Sequence, residues 1–328
     1  MTAAVERAAG GASPARAGRV MVVGSLNMDL VVRSARLPRP GETLAGRSFA
    51  QAAGGKGGNQ AVAAARLGAQ VAMLGRVGAD AHGAAFWLAS STTMSATPVV
   101  AVALSVSATA TTGVALIVVD DASQNAIVIV AGSNGEVTPE SIVGHEAAIA
   151  AADVLICQLE TPAAAVRAAL AAGRRLGKAV VLNPAPAAGP LPADWLPLVD
   201  YLIPNEIEAA ALTGLPVRDP ASAETAARAL AAAGARNVIV TLGGQGVLAL
   251  TADGDARHYP APRVAPVDTT AAGDTFIGGF AARLAAHDAP HDAIRFAQRA
   301  AALSVTRAGA QPSIPTLAEL DAFAPGPA

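Results

Sequence analysis

Cysteine is all but missing from this chain: Cys157 stands alone, so no intrachain disulfide can form. It lies in the apolar run Val154-Leu155-Ile156-Cys157 and reads as a small buried hydrophobe rather than a reactive thiol. Aromatic residues make up 3% of the sequence and the formal net charge is −2, so neither the stacking surface nor the basic stripe of a nucleic-acid binder is present. No apolar stretch continues for the roughly 18 to 20 residues of a membrane helix without charge, Gly or Pro interrupting it. The histidines, His82, His145, His258, His287 and His291, form no His-Glu-x-x-His or Cys/His cluster, which argues against zinc. A Gly-x-Ser-x-Gly elbow is also missing, against an α/β-hydrolase. So is a dinucleotide fingerprint, against an NAD-linked oxidoreductase. Lysine occurs only at Lys56 and Lys178 in a sequence that otherwise favours Arg and Ala. Residues 1–18, with early charges and no apolar core after them, read as a disordered tail rather than a signal peptide. The expectation is a soluble, cytoplasmic protein.

What is present is alternation. Short β-branched runs, such as Val20 to Val23, Val71 to Leu74, Val154 to Ile156, Ala179 to Leu182, Tyr201 to Ile203 and Val238 to Leu242, are separated by Ala-rich helical stretches. Helix ends are legible: Asn59 to Leu67 stops at Gly68, Thr138-Pro139-Glu140 is an N-cap with proline at N1, and Thr161-Pro162 opens a helix that Gly177 closes. Such alternation predicts parallel β-α-β units and a sheet covered on both faces. Residues 28–50 read as extended, and 113–131 as a hairpin turning at Asp120 to Asn125. With 99–112 added, these segments predict a small β lid over one edge of a single α/β domain spanning 19–328. From Phe86 to Thr112 there is neither Gly nor charge, and the pattern assigns no element there.

Four motifs carry chemistry. In Val267-Asp268-Thr269-Thr270-Ala271-Ala272-Gly273-Asp274-Thr275-Phe276, small residues precede an apolar helix expected over Phe276 to Ala286. Free amides of Ala271, Ala272 and Gly273 at that N-terminus suit phosphate oxygens, and Asp274 beside them can take a proton from an attacking hydroxyl. Asp274 alone could equally be a first-turn acid that stabilises its helix. Gly54-Gly55-Lys56-Gly57-Gly58-Asn59-Gln60 is not a Walker A loop, because Gly57 stands where Ser or Thr is required. Its glycines would let backbone approach a small polyol, with Lys56 and Asn59 as donors; a flexible loop with one exposed lysine is the plainer reading. In Gly24-Ser25-Leu26-Asn27-Met28-Asp29, Asn27 and Asp29 project to one side of a strand, and Glu160 closes the strand Cys157-Gln158-Leu159-Glu160. In Pro204-Asn205-Glu206-Ile207-Glu208, Asn205 caps a helix with Glu208 at N3, a pair compatible with both capping and a metal-water role. Thr241-Leu242-Gly243-Gly244-Gln245-Gly246 offers small residues after a strand for nucleotide packing.

Together these motifs, with Asn-Pro-Ala-Pro-Ala at 183–187 and Gly-Ala-Gln-Pro-Ser at 309–313, resemble the ribokinase branch of the PfkB carbohydrate kinases from about Val20 to Ala324. That resemblance implies a three-layer α/β/α domain with a β lid that pairs two subunits into a homodimer. It implies ATP-dependent phosphorylation of D-ribose at the 5-hydroxyl, with Asp274 as base. Ribose would lie against Asn27, Asp29, Gly55, Lys56, Gly57, Gly58, Asn59 and Glu160. ATP would contact Asn205, the 241–246 turn, Gly273 and Gln298, where relatives often carry His. Mg²⁺ would sit among the phosphates, its waters oriented by Asn205 and Glu208. An activating K⁺ would match Asp268, Thr270, Ser304, Arg307, Gly309 and Ser313. Relatives usually carry a charged helix and a Gly/Asp turn where this chain has residues 86–112. That departure leaves a defective sugar-binding homologue as an alternative, beside a deoxyribose or fructose kinase.

Overall fold

The computed structural model describes residues 17–91, 99–122, 124–187 and 189–324. The chain opens with β1 (Arg19–Val23), β2 (Asn27–Arg33), β3 (Ser48–Gly54), α1 (Lys56–Arg66), β4 (Gln70–Gly78), α2 (Ala81–Ser91) and β5 (Val99–Ser107). The hairpin β6 (Gly113–Val119) and β7 (Asn125–Val130) leads to α3 (Pro139–Gly144), α4 (Glu146–Ala151), β8 (Val154–Cys157), α5 (Ala163–Arg175), β9 (Ala179–Leu182) and β10 (Tyr201–Leu202). Next come α6 (Glu206–Thr213), α7 (Pro220–Ala232), β11 (Asn237–Thr241), β12 (Val247–Leu250) and β13 (Ala256–Tyr259). The chain then closes with α8 (Ala272–Ala285), α9 (Pro290–Ser304) and α10 (Leu317–Ala322).

Nine strands form one sheet in the order β13-β12-β11-β10-β9-β8-β1-β4-β5, and four form a smaller one, β3-β2-β6-β7. From β11 to β5 the large sheet is parallel throughout; β12 and β13 add an antiparallel edge. Alternate residues of each strand enter opposite layers. Met21, Leu155, Leu182 and Val240 pack with α5, α6 and α7 residues such as Leu170, Leu212 and Leu230. Val22, Ile156, Val181 and Ile239 pack with α1, α8 and α9 residues such as Ala64, Phe280 and Ala297. This double burial is why β1 and β8 read as unbroken apolar runs rather than alternating ones. Cys157 is fully buried between the layers, and burial pushes its thiol up to about 12, so it behaves as a hydrophobe.

Sequence and structure differ at several boundaries. Val99–Ser107, expected in the lid, instead runs parallel to β4 at the edge of the large sheet. The intervening α2 makes β4 and β5 a β-α-β crossover, which returns the second strand beside the first in the same direction. The small sheet is therefore β2, β3 and the β6–β7 hairpin. Residues 92–98, and residues 1–16 of the tail expected over 1–18, lie outside the described residues. Thr161 does not cap α5: Pro162 takes the N-cap position and the Thr161 hydroxyl has no partner among the described residues. Thr138 does cap α3, accepting from the Ser141 N–H. Among the described residues no helix is long and apolar enough to cross a membrane.

One crossing governs the centre of the molecule. A Cβ on Gly278 of α8 would fall 2.4 Å from Ala63 Cβ and 2.7 Å from the Gln60 carbonyl oxygen of α1. The two helices touch where α8 has no side chain. Gly278→Ala should therefore wedge them apart and destabilise the fold by about 1–3 kcal/mol, the scale of overpacking. Urea unfolding checks this, with Gly144→Ala as control: a Cβ there meets nothing within 4 Å, and its midpoint should stay put or rise.

Candidate active site

The parallel strands end on one edge of the sheet, and the loops beyond β1, β8, β9, β10 and β11 carry the motif residues. Open α/β sheets gather their ligands at such an edge. There α8 begins at Ala272, four residues earlier than expected, because Ala271 adopts a left-handed conformation (φ 58°) that turns the chain into the helix. Asp274 thus lies in the first turn, but its side chain caps no helix N–H. Its Oδ2 accepts from Asn59 Nδ2 at 2.9 Å and its Oδ1 from Gln60 Nε2 at 2.9 Å, both from the neighbouring α1. A carboxylate offers about four acceptor sites, so two remain for a substrate hydroxyl.

The Gln60 amide is itself held, whereas Asn59 Oδ1 has no partner among the described residues. Gln60 Oε1 accepts from Gln158 Nε2 at 2.7 Å, and Gln60 Nε2 also lies 3.2 Å from Asn183 Oδ1. Asn183 in turn donates to the Ile203 carbonyl at 3.0 Å. Burial pushes the Asp274 carboxyl up; Lys56 and the two amides pull it down, and Glu160 adds to the rise. A carboxylate so placed is a stronger base than one in water. Beside it, the N–H groups of Ala271, Gly273 and Asp274 have no partner among the described residues, and Gly273 is exposed with open space before it. Ala272, expected to share that role, donates instead to the Thr269 carbonyl at 3.2 Å. Three free amides at the N-terminus of a 14-residue helix make an anion site.

On one side of Asp274 lie the acids. Glu160 Oε2 accepts from the Lys56 N–H at 3.0 Å and from the Ser25 hydroxyl. Asn27 and Asp29 share one face of β2, both buried. The Asp29 carboxyl makes no hydrogen bond among the described residues; burial, then Glu160 and Asp274, push it up to about 7. Burial would lower the Lys56 ammonium, but Asp274, Glu160 and Glu208 outweigh it and hold it above the usual lysine range. The glycines of this loop also serve packing. A Cβ on Gly57 would fall 2.6 Å from the Ser25 nitrogen, and one on Gly54 would fall 2.3 Å from the Asp29 carboxylate. They let α1 seat itself on the Gly24–Asn27 turn. For the same reason α1 starts at Lys56, three residues before its expected start.

On the other side lie Asn205 and the 241–246 turn, joined by a bridge between Asn205 and Thr241. Asn205 Oδ1 accepts from the Glu208 N–H at 2.8 Å, and Glu208 Oε2 accepts from the Asn205 N–H at 2.9 Å, a complete capping box. The second Glu208 oxygen has no partner among the described residues, and burial pushes the carboxyl up. Among the described residues no three acidic, His or Cys side chains form a metal cage. The donor set therefore suits a divalent ion held by phosphate oxygens and water. Leu242 N–H donates to the Gly246 carbonyl, shaping the turn, while Gln245 reaches away to the Arg218 carbonyl at 2.8 Å. Gln298 is buried on α9, donating to the Tyr259 carbonyl at 2.8 Å. Asp268 Oδ1 accepts from Thr270 N–H and hydroxyl, and its Oδ2 from Gly309 N–H at 2.9 Å. Ser304 and Ser313 hydroxyls donate to nearby carbonyls, and Arg307 pairs with Glu319 at 3.0 Å.

Residues 17–317 match the family described as pfkB family carbohydrate kinase. The chain belongs to the pfkB family of carbohydrate kinases. Ribokinase of Haemophilus influenzae is 42% identical over 298 residues, covering 91% of this chain and 95% of that protein. Deoxyribokinase of Salmonella typhi is 36% identical over 310 residues, covering 93% and 98%. The solved Arabidopsis thaliana ribokinase, complexed with ribose and ATP, is 32% identical with a TM-score of 0.85, covering 94% of this chain and all of that one. The three-layer α/β/α architecture with a small second sheet is that of this family.

Within this pfkB kinase Asp29, Lys56, Asn59, Glu160 and Glu208 of the expected residues interact with Asp274, and several unassigned ones join them. Gln60, Gln158 and Asn183 stand inside quoted motifs, where buried amides among apolar residues were the available signal. Asn134 and Ser25 carried no signal of their own. Asp29 yields a test of this electrostatic picture. Unfolded, it ionises near its ordinary 3.8; folded, it keeps its proton up to about 7, so its contribution to stability is lost as pH rises through that window. Asp29→Asn should therefore raise the Tm of the ligand-free protein, relative to the unsubstituted chain, more at about pH 8 than at about pH 5. A Tm difference that does not vary with pH would show that Asp29 ionises normally.

Proposed function

We propose that this kinase phosphorylates D-ribose at its 5-hydroxyl, using ATP to give ribose 5-phosphate and ADP. The observation that carries the reading is the buried Asp274 carboxylate, held by two amides one helix away and flanked by free N–H groups at the start of α8. The solved relative bound to ribose and ATP supports it, as does the Haemophilus influenzae ribokinase. In the proposed step the 5-hydroxyl oxygen attacks the γ-phosphorus and its proton passes to Asp274. The new O–P bond forms as the bond to the β,γ-bridging oxygen breaks, and ADP leaves with that electron pair. Amides of Ala271, Gly273 and Asp274 hold the oxygens of the group in transit, and Lys56 balances the gathered negative charge.

Sugar hydroxyls are donors, and Asp29 and Glu160 are acceptors beside them; Asn27 and Gly55 to Asn59 complete that wall. Asn205, the 241–246 turn, Gly273 and Gln298 would receive the nucleotide. Glu208 would orient water on Mg²⁺, which neutralises phosphate charge when bound. K⁺ would rest on main-chain carbonyls of the 268–270 and 304–313 segments. A homodimer through the small sheet is supported by Phe49, Leu116 and Val128, which share one of its faces and are 60%, 48% and 62% exposed. Such an apolar face is unusual on a monomer. The reading carries a cytoplasmic location with it.

An ATP-consumption assay with ribose, 2-deoxyribose, fructose and adenosine, with and without K⁺, tests the assignment. Ribose should be consumed fastest, and faster with K⁺. A strong preference for 2-deoxyribose would move the substrate toward the Salmonella typhi relative and leave the mechanism standing. Asp274→Asn should bind ATP and fold normally while its rate falls by on the order of 10² or more. Near-normal turnover would refute the base.

A further inference from the structure

The chain enters the small sheet at Leu26–Asn27 and leaves it through the turn Gly132–Glu136, and the two crossings touch. Between them lies Asn134, 1% exposed and absent from every motif the sequence offered. Its Oδ1 accepts from the Leu26 N–H at 2.9 Å, and its Nδ2 donates to the Leu26 carbonyl at 3.0 Å and to Asn27 Oδ1 at 2.8 Å. The first two partners are main-chain groups that cannot exchange roles: an N–H only donates and a carbonyl only accepts. The Asn134 amide therefore has one orientation, and its remaining N–H must meet an acceptor. That requirement turns Asn27 so that Oδ1 faces Asn134 and Nδ2 faces away.

Asn27 Nδ2 has no partner among the described residues, and the side chain shares its face of β2 with Asp29. The contact depends on a missing side chain as well. A Cβ on Gly113 would fall 2.2 Å from Asn134 Nδ2 and 2.2 Å from Asn27 Oδ1, so the amides meet in space that glycine leaves open.

We propose that Asn134 is a positioning residue that sets the polarity of the sugar wall, fixing Asn27 as a hydrogen-bond donor beside the acceptors Asp29 and Glu160. A hydroxyl lying between Asn27 and Asp29 then accepts from the amide and donates to an Asp29 carboxyl oxygen, which orients the sugar. The inference rests on the sugar placement proposed above.

Steady-state ribose kinetics at saturating ATP, with thermal unfolding in parallel, test it on Asn27→Ala, Asn27→Asp, Asn134→Ala, Asn134→Asp and the double alanine variant. Asn134→Ala should raise the ribose KM about tenfold, the scale of one hydrogen bond, with kcat little changed. Asn134→Asp keeps shape and the Leu26 N–H contact but cannot donate to Asn27, so it should raise KM similarly; it decides the matter if the alanine variant fails to fold. Asn27→Asp keeps its acceptor toward Asn134 while losing its donor, and should bind ribose as poorly as Asn27→Ala. The double variant should be no worse than Asn27→Ala alone. Normal KM in Asn134→Asp, normal KM in Asn27→Asp, or multiplying effects in the double variant would each overturn the inference. An unchanged KM in Asn27→Ala would instead remove the sugar placement on which it stands.

Discussion

Asp274 is buried, which works against its charge, and the groups around it are arranged so that the charge survives there. Two neutral amides from α1, Asn59 and Gln60, meet its two oxygens. They arrive because α1 and α8 approach at Gly278, one turn along α8 from the carboxylate. A chain of side-chain amides through Gln158 and Asn183 then limits the ways Gln60 can turn. Lys56 and these two donors favour the ionised form, but burial outweighs them and leaves the group more basic than a carboxylate in water. Lys56 gives its charge to the whole cluster without forming an ion pair among the described residues.

Around that carboxylate the surrounding groups divide by hydrogen-bond polarity. The side built from β2, the Gly54–Asn59 segment and Glu160 is rich in acceptors, suited to hydroxyls that have protons to donate. The side built from the start of α8, Asn205 and the turn after β11 presents main-chain N–H groups and small residues, suited to phosphate oxygens. In the proposed reaction a phosphoryl group would cross from the second side to the first, with Asp274 at the boundary. The two sides also differ in construction. Strand ends of the large sheet are held from both layers, whereas Asn27 and Asp29 belong to a sheet whose outer strand β7 is exposed along its length. The Asn134 clasp fastens this second sheet to the first.

Local chemistry made much of this legible. Most helix ends read from local signals appear where expected: Thr138 caps α3, Asn205 and Glu208 form a complete capping box, and Gly68 and Gly177 follow their helices with positive φ, while Thr161 fails to cap α5. Where main chain alone starts a helix, the expectation came late. Lys56 and Ala272 open α1 and α8 three and four residues early, because no capping side chain announces a turn made by Gly55 or by a left-handed Ala271. The Val99–Ser107 strand was placed in the wrong sheet because apolar β-branched residues suit either one, and only the crossover through α2 distinguishes them.

By itself the sequence determined the class of fold and the family and picked out the candidate site residues, because strand–helix alternation, capping residues and short glycine-bearing strings are local properties. The partners of each polar atom were decided by tertiary structure alone. Gln60 meets Asp274 across more than two hundred positions, and Asn134 meets Asn27 across more than one hundred. The direction in which an amide points depends on which donor or acceptor packing brings to it, and no spacing along the chain encodes that.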